Sequence, residues 1–537
     1  MALQLLIFDT RRGNTEGLEE DKVLAAFPND VPLLHQSGMA GLLQGLLLFT
    51  ANFTAALASR PRWDVAETDS GTWVMLEAEP HLWFVVLAPR AWVPRHTTED
   101  TLHSLLTQIH LLNCALCGSV QAALDEDPSG GLARAGLQAV VDHVGHALGS
   151  PHTWQHRELR NPLGDAALPP LLPLSQGSSL AVQGLANHLL LASLHGQQCV
   201  RGVLLLYGPY LLWSSLAPRD TAALFAVVAA GLLHASSSSK GGSGGGGGVG
   251  EPHAAASAAA VAALPSLRAL DGGAWRQLPS GFLVLRGSAD APGGGVWPAY
   301  GAPTVPLVHL QHSPDEREGE QGGAGGGGGQ PGACRLLPLL EGRLLVGLLL
   351  DDGALATPQQ LAGLHGLVAA PARQLAAQVG EEVRASKAEA AHLPGFRYLY
   401  QDAAVQAARA SPRIKVSAMS HHARTLAAAV RGSLGGLVAA GAEAVADAGE
   451  APPDGLAGGE AFQAQQAPPS TGSGATGGGG EHEVLEVVAR SSQECWAYAL
   501  QPGDGRRLLA VRERRGEREL GQASGVLHAF AEDNFLM

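Results

Sequence analysis

The two ends of this chain repeat one succession of periods: two short strands, a helix, three strands and a closing helix. Each end supplies its own alternating strands and its own apolar helical stripe, so the chain must fold as separate sheet-and-helix modules. The C-terminal copy reads most clearly. Gly395 to Asp402 and Gln406 to Ser411 read as strands, Ser417 to Ala446 as an alanine-rich helix, and Glu483 onward as three strands and a last helix. Trp496, Tyr498 and Leu500 alternate with Cys495, Ala497 and Ala499, which predicts a half-buried strand. Leu520, Ala523, Leu527 and Phe530 then fall at helical spacing and share one face.

At the N-terminus, Leu3 to Asp9 is an apolar strand that runs into Arg11, Arg12 and Gly13, and Val31 to Ala58 is helical in period. Trp73 to Glu79 and His81 to Ala88 read as strands broken at Pro80, which has no amide proton to give a ladder. Leu102, Leu105, Leu106, Ile109 and Leu112 form one helical stripe, and Leu137, Val140, Val141, Val144 and Leu148 another. The middle offers a hairpin, Val200 to Leu216, turning at Gly208 and Pro209. Pro218 then opens a helix with Asp220 in its first turn. Phe282 to Arg286, Val305 to His309 and Arg343 to Leu350 read as strands, and Pro358 to His392 as a long helix kinked at Pro371. The middle is therefore a candidate third copy.

A chain of 537 residues accommodates three or four domains at ~150 residues each. Many of its 70 glycines sit in runs, Gly241 to Gly248, Gly322 to Gly329 and Gly477 to Gly480, which have nothing to bury and read as disordered insertions. The boundaries expected are 1–150, 180–392 with insertions at 236–260 and 313–333, and 393–537 with an insertion at 447–480. The net charge of −14 argues against nucleic acid as a partner, since binding there rests on neutralising phosphates. A local basic run, Arg506 to Arg518, is interrupted by Glu513 and Glu517 and reads as a solvated strand edge. Five cysteines without a secretory signal point to a reducing compartment, the cytosol by default. Gln36 to Ser59 has no charged residue and is long enough to span a bilayer, but Gln44, Thr50, Asn52, Thr54 and three glycines favour a helix buried within a globular domain.

No covalent chemistry is legible. Cys114 and Cys117 form a lone C-x-x-C without a second ligand pair, and read as buried apolar thiols. His143, His146, His152 and His156 cluster at a helix end without the spacing of a metalloprotease helix. Neither a phosphate-binding loop nor a nucleophile elbow is present, and Asp351 and Asp352 read as turn residues. The expectation is a non-catalytic protein, without cofactor or metal, that works by presenting surfaces.

Three stretches, LQLLIFDTRRGNTEGLEEDKVLAAFPNDVP from Leu3, LEAEPHLWFVVLA from Leu76 and GFRYLYQDAAVQAARASPRIKV from Gly395, resemble the Ccz-type vacuolar fusion proteins. That family is shared with inturned and a Hermansky-Pudlak subunit. The final strands and helix and LAPRDTAALF from Leu216 are similar too. The resemblance implies an α+β chain of three longin-like domains, each a mixed, antiparallel-rich sheet flanked by helices. It also implies a heterodimer with a Mon-type longin protein, joined through the first longin domains and acting as exchange factor for the late-endosomal, vacuolar Rab GTPase. An anionic phosphoinositide membrane surface is a further expected contact. Such a chain would be cytoplasmic and peripherally recruited to late endosomes, prevacuolar compartments and vacuoles. Asp9, Arg11, Arg12, Gly13, Glu79, Pro80 and Trp83 are the interface candidates. The alternatives are a longin scaffold of a planar-polarity or lysosome-related-organelle complex, and a hydrolase hidden in the alanine- and glycine-rich background.

Overall fold

The computed structural model describes, with short breaks, residues 3–54, 63–89, 99–149, 168–191, 200–233, 265–285, 305–310, 332–351, 358–386, 392–411, 485–490, 495–501, 506–512 and 520–535, with single positions between 193 and 198 and between 423 and 430. The three glycine-rich insertions lie outside these residues, except that a strand begins at Gly332, just inside the expected end of the second.

The N-terminal unit comprises β1 (Gln4–Asp9), β2 (Val23–Phe27), α1 (Leu33–Thr54), β3 (Trp63–Glu67), β4 (Gly71–Glu79), β5 (Leu82–Pro89), α2 (Glu99–Cys117), α3 (Val120–Glu126) and α4 (Gly131–Gly149). Next come α5 (Gln176–Leu190), β6 (Val200–Tyr207), β7 (Tyr210–Ser214), α6 (Pro218–Val228), a short ribbon of β8 (Trp275–Gln277) and β9 (Leu283–Leu285), β10 (Leu307–Leu310), β11 (Gly332–Glu341), β12 (Leu344–Leu350) and α7 (Pro358–Ser386). The C-terminal unit holds β13 (Arg397–Asp402), β14 (Ala407–Ala410), β15 (Leu485–Arg490), β16 (Trp496–Gln501), β17 (Arg506–Arg512) and α8 (Leu520–Phe535).

Three five-stranded sheets result, ordered β2-β1-β5-β4-β3, β7-β6-β12-β11-β10 and β14-β13-β17-β16-β15. Numbered within each unit, all three follow the order 2-1-5-4-3, so the middle segment is a third copy of the plan. Their ladders are antiparallel throughout, where a mixed sheet was expected. First and last strands become neighbours at the sheet centre, which buries them on both faces. Hence β5 and β12 are buried along their full length, and β6 along nearly all of its own. The same topology corrects two readings. β17 is the central strand of its sheet, with Leu508 to Val511 buried, and not a solvated edge. Strand β16 is buried on both faces and not on one: Ala497 and Ala499 face one core, and Tyr498 and Leu500 the opposite core under α8.

Each sheet carries helices on both faces. In the first unit, Ile7, Val74, Phe84 and Val86 pack under α2 and α4. Phe8, Met75, Trp83 and Val85 point the other way, under Ala40, Leu43 and Leu47 of α1. In the second, α5 and α7 cover one face through Val182, Leu185, Leu364, Val368 and Leu375. Among the described residues α7 alone follows the last strand there, and α5, arriving from the N-terminal side, supplies the second helix. α6, which occupies in the second unit the place of α1 in the first, has every residue from Asp220 to Val228 buried, with α2 of the first unit packed against it. The first two units thus share one continuous core. In the third unit, Ala423, Leu426, Ala427 and Val430 pack on the sheet face opposite α8; the rest of the helix expected over 417–446 lies outside the described residues.

A short strap joins the second and third sheets. Pro170 pairs with Ala408 on edge strand β14, and Leu171 with Leu211 on edge strand β7, both in parallel. Its backbone bonds alternate sides: Leu171 N–H donates to Ala408 and Leu172 N–H to Leu211, while Ala408 and Leu211 return bonds to Pro169 and Pro170. Arg409, 4 % exposed, lies over the Tyr210 ring at 5.0 Å and reaches toward the Leu171 carbonyl.

Candidate functional site

The sequence-derived interface residues do converge, at one end of the first sheet. Asp9 pairs with Leu82 across β1 and β5, and Thr10 N–H donates to the His81 carbonyl, so the charged turn after β1 sits beside the β4–β5 hairpin. Most of these side chains are engaged within the chain. Asp9 is 1 % exposed and accepts bonds from the Arg11 amide at 2.9 Å and from its guanidinium at 3.1 and 2.9 Å. Arg12 donates to the carbonyls of Asp21, Pro128 and Ser129, clamping two distant loops. Gly13 has φ +58°, and a Cβ there would meet the Leu18 and Glu19 carbonyl oxygens at 2.9 Å, so only glycine fits. Trp83 is buried beneath α1. Pro80 is exposed, and Arg11 is the one charged side chain of the group that remains substantially solvated.

Glu79 is the hub of the corner. A bulge between Glu77 and Glu79 turns its side chain toward the start of α3, where it accepts bonds from Ser119 Oγ (2.8 Å), Val120 N–H (3.0 Å) and Gln121 N–H (2.8 Å). His110 Nε2 lies 3.1 Å from Glu79 Oε1, and Cys114 Sγ lies 3.3 Å from the same nitrogen. Burial opposes the carboxylate charge, but the bonds from His110, the Gln121 amide and Ser119 outweigh it and hold this carboxyl down to about 2. Burial likewise opposes the imidazolium, and the contacts with Cys114 and Glu79 raise His110 to about 9. Cys117, a turn further along α2, is pushed up to about 12 by burial and by Cys114, in keeping with a protonated thiol. Among the other histidines, His146 packs edge-on to Phe27, while His152 and His156 lie outside the described residues.

The surface that the interface residues do not include is the outer side of α1. Leu34, Leu42, Leu48 and Phe49 are exposed by 76, 73, 63 and 62 %. Between them lie Gly38, Gly41 and Gly45, where an added Cβ would find nothing within 4 Å. Each glycine destabilises an exposed helix by ~1 kcal/mol relative to alanine, and among the described residues no contact requires it. Gln44 explains one polar interruption of the segment: it donates to the Thr10 carbonyl and accepts from Lys22 Nζ, tying α1 to the charged corner. No described helix is long and apolar enough to cross a membrane. The sequence does not separate these outer residues from the inward Leu43 and Leu47, because apolar residues fall on every side of this helix and leave no contrast to mark which side faces the sheet.

A five-stranded antiparallel sheet in this order, between one helix and a helical pair, makes the first unit a longin-type domain, and residues 3–113 match the family model described as the first longin domain of INTU, CCZ1 and HPS4. The chain is 31 % identical over 226 residues to vacuolar fusion protein CCZ1 homolog B of Arabidopsis thaliana, covering 42 % of this chain and 44 % of that protein. It is 29 % identical over 223 residues to the CCZ1 homolog of Oryza sativa subsp. japonica, with 41 and 44 % covered. Residues 3–113 are therefore a longin domain of the kind shared by INTU, CCZ1 and HPS4, and the chain is similar to the CCZ1 homologs over less than half of their length.

Proposed function

We propose that this chain serves vacuolar membrane fusion, as one subunit of a heterodimeric guanine nucleotide exchange factor for the vacuolar Rab GTPase, with a Mon-type longin protein as its partner. The observation that carries the reading is the uncovered outer face of α1. In the second unit the helix at the same place in the plan is buried from Asp220 to Val228, with a neighbouring longin helix packed against it, whereas α1 keeps six large apolar residues and three glycines toward solvent. A second longin domain laid on α1 would complete the packing that α2 provides for α6. The corner of Asp9, Arg11, Arg12, Gly13, Glu79, Pro80 and Trp83 is tied to this helix through the Gln44 bond to Thr10, and of its members Arg11 and Pro80 are the ones open to a partner.

Exchange of this kind needs no nucleophile. The assembled platform has to hold the nucleotide-free GTPase more tightly than the loaded form, so that release of nucleotide becomes favourable by differential binding alone. The working units are 1–150, 180–392 and 393–537, the second extended to Gln176 so that α5 stays whole. Recruitment from the cytoplasm to an anionic phosphoinositide surface of late endosomes and vacuoles completes the proposal. Nucleotide release from the vacuolar Rab, measured with this chain alone and with the Mon-type partner, tests it: release is expected only with the pair. No stimulation by the pair, or stable assembly with a planar-polarity protein in place of the partner, would reject it.

A further inference from the structure

Glu79, His110 and Cys114 present three metal-binding atoms to one point, although β4 and α2 are well separated in sequence. Glu79 Oε1, His110 Nε2 and Cys114 Sγ form a triangle with sides of 3.1, 3.3 and 4.0 Å. A tetrahedral zinc ion with ordinary bond lengths to oxygen, nitrogen and sulfur sets such atoms about 3.4 to 3.6 Å apart, so each side is within about half an ångström of that geometry. We infer that these three residues form a zinc site that locks the β4–β5 hairpin to the turn between α2 and α3.

Helix geometry and proton counting both support the site. His110 and Cys114 are four residues apart on α2 and so lie on one side of the helix, facing Glu79. The imidazole N–H serves Glu79 at 3.1 Å and leaves the Cys114 thiol only a 4.0 Å approach to the same carboxylate, whereas a divalent cation that displaces the thiol proton accepts a lone pair from all three. The surroundings have the character of an orienting outer layer. Ser119 Oγ–H and the Gln121 amide fix the other carboxylate oxygen of Glu79, and Phe84 meets the His110 ring edge-on at 5.5 Å. The His110 and Glu79 side chains retain 15 and 11 % exposure, which leaves a way in for an ion. A hydrogen-bonded ion pair beside a neutral thiol is the competing account, and it takes up no metal.

The test uses the full-length chain, stripped with a chelator under reducing conditions and titrated with cobalt(II) at neutral pH. One equivalent is expected to bind, with the visible bands of tetrahedral cobalt and a near-ultraviolet thiolate-to-cobalt charge-transfer band, both abolished by zinc. Cys114→Ser should remove the charge-transfer band while far-ultraviolet circular dichroism stays unchanged, and Cys117→Ser should keep it. Ser119→Ala, which loosens the orientation of Glu79 and removes the N-cap of α3 without altering a ligand atom, should weaken zinc about 10- to 100-fold in competition with a chromophoric chelator. Absence of a cobalt spectrum in the unaltered chain overturns the inference whatever the variants do. A band lost in Cys117→Ser and retained in Cys114→Ser overturns it as well.

Discussion

Replacing Leu42 and Phe49 together by glutamine should separate assembly from folding. Both side chains lie on the outer side of α1, exposed by 73 and 62 %. Burying a whole leucine or phenylalanine side chain stabilises by about 1.5 to 3 kcal/mol, so covering the exposed share of each is worth about 1 to 2 kcal/mol. Together that is roughly 2 to 4 kcal/mol of association, or about 30- to 1,000-fold in Kd. Glutamine has nearly the helix propensity of leucine, and surface substitutions generally shift folding by less than about 0.5 kcal/mol, so the free chain should melt almost as before. Isothermal titration calorimetry against the proposed Mon-type partner reads the loss, and thermal denaturation reads the control. On the opposite side of the same helix Leu43 is 3 % exposed, and Leu43→Ala should instead destabilise the first unit by about 2 to 5 kcal/mol. A folded double variant that assembles with wild-type affinity would refute α1 as the joining surface.

Gly41→Ala should show opposite signs in two assays: thermal unfolding stabilised by up to ~1 kcal/mol, because the added methyl meets open space, and weaker partner binding by calorimetry, because that space is where the partner approaches. Arg12→Ala should destabilise the first unit by about 2 to 3 kcal/mol in urea, since three carbonyls lose a charged donor. His309 on β10 is held below its ordinary value of 6.5 by burial, so the unfolded chain takes up its proton first. The stability this histidine contributes is present above about pH 6.5 and lost as pH falls through its lowered pKa; denaturant titrations should show a shallower acid loss in His309→Gln. Arg409→Met should raise amide exchange at Leu171 and Leu172, read by mass spectrometry, because the strap loses the cation over Tyr210 and the bond to its own carbonyl.

The repeated plan was legible because alternation and helical spacing are local properties. Trp496 to Leu500 and the stripes of α2 and α4 announce themselves within a dozen residues. Strand position was not legible. Arg506 to Arg512 looks like a polar margin until Arg506 and Arg507 are seen opposite Asp402 and Gln401 on β13, a pairing across some hundred residues that places the strand at the centre. β11 escaped notice next to a glycine run, although its register with β12 carries the middle sheet. At the site, the Asp9–Arg11 pair lies two residues apart and could be suspected, whereas the approach of Glu79 to His110 spans 31 residues. The C-x-x-C read alone suggested inert thiols; the sequence signal available was that His110, Cys114 and Cys117 follow one side of α2.

The strap at Pro169 to Leu172 has a consequence for solubility. Open sheet borders invite foreign strands, and here four residues occupy two such borders at once, with a proline at two of them to deny donors to an intruder. A proteolytic cut or truncation that removed this piece would bare two adhesive rows of amides in one event and open the chain to strand-by-strand self-association.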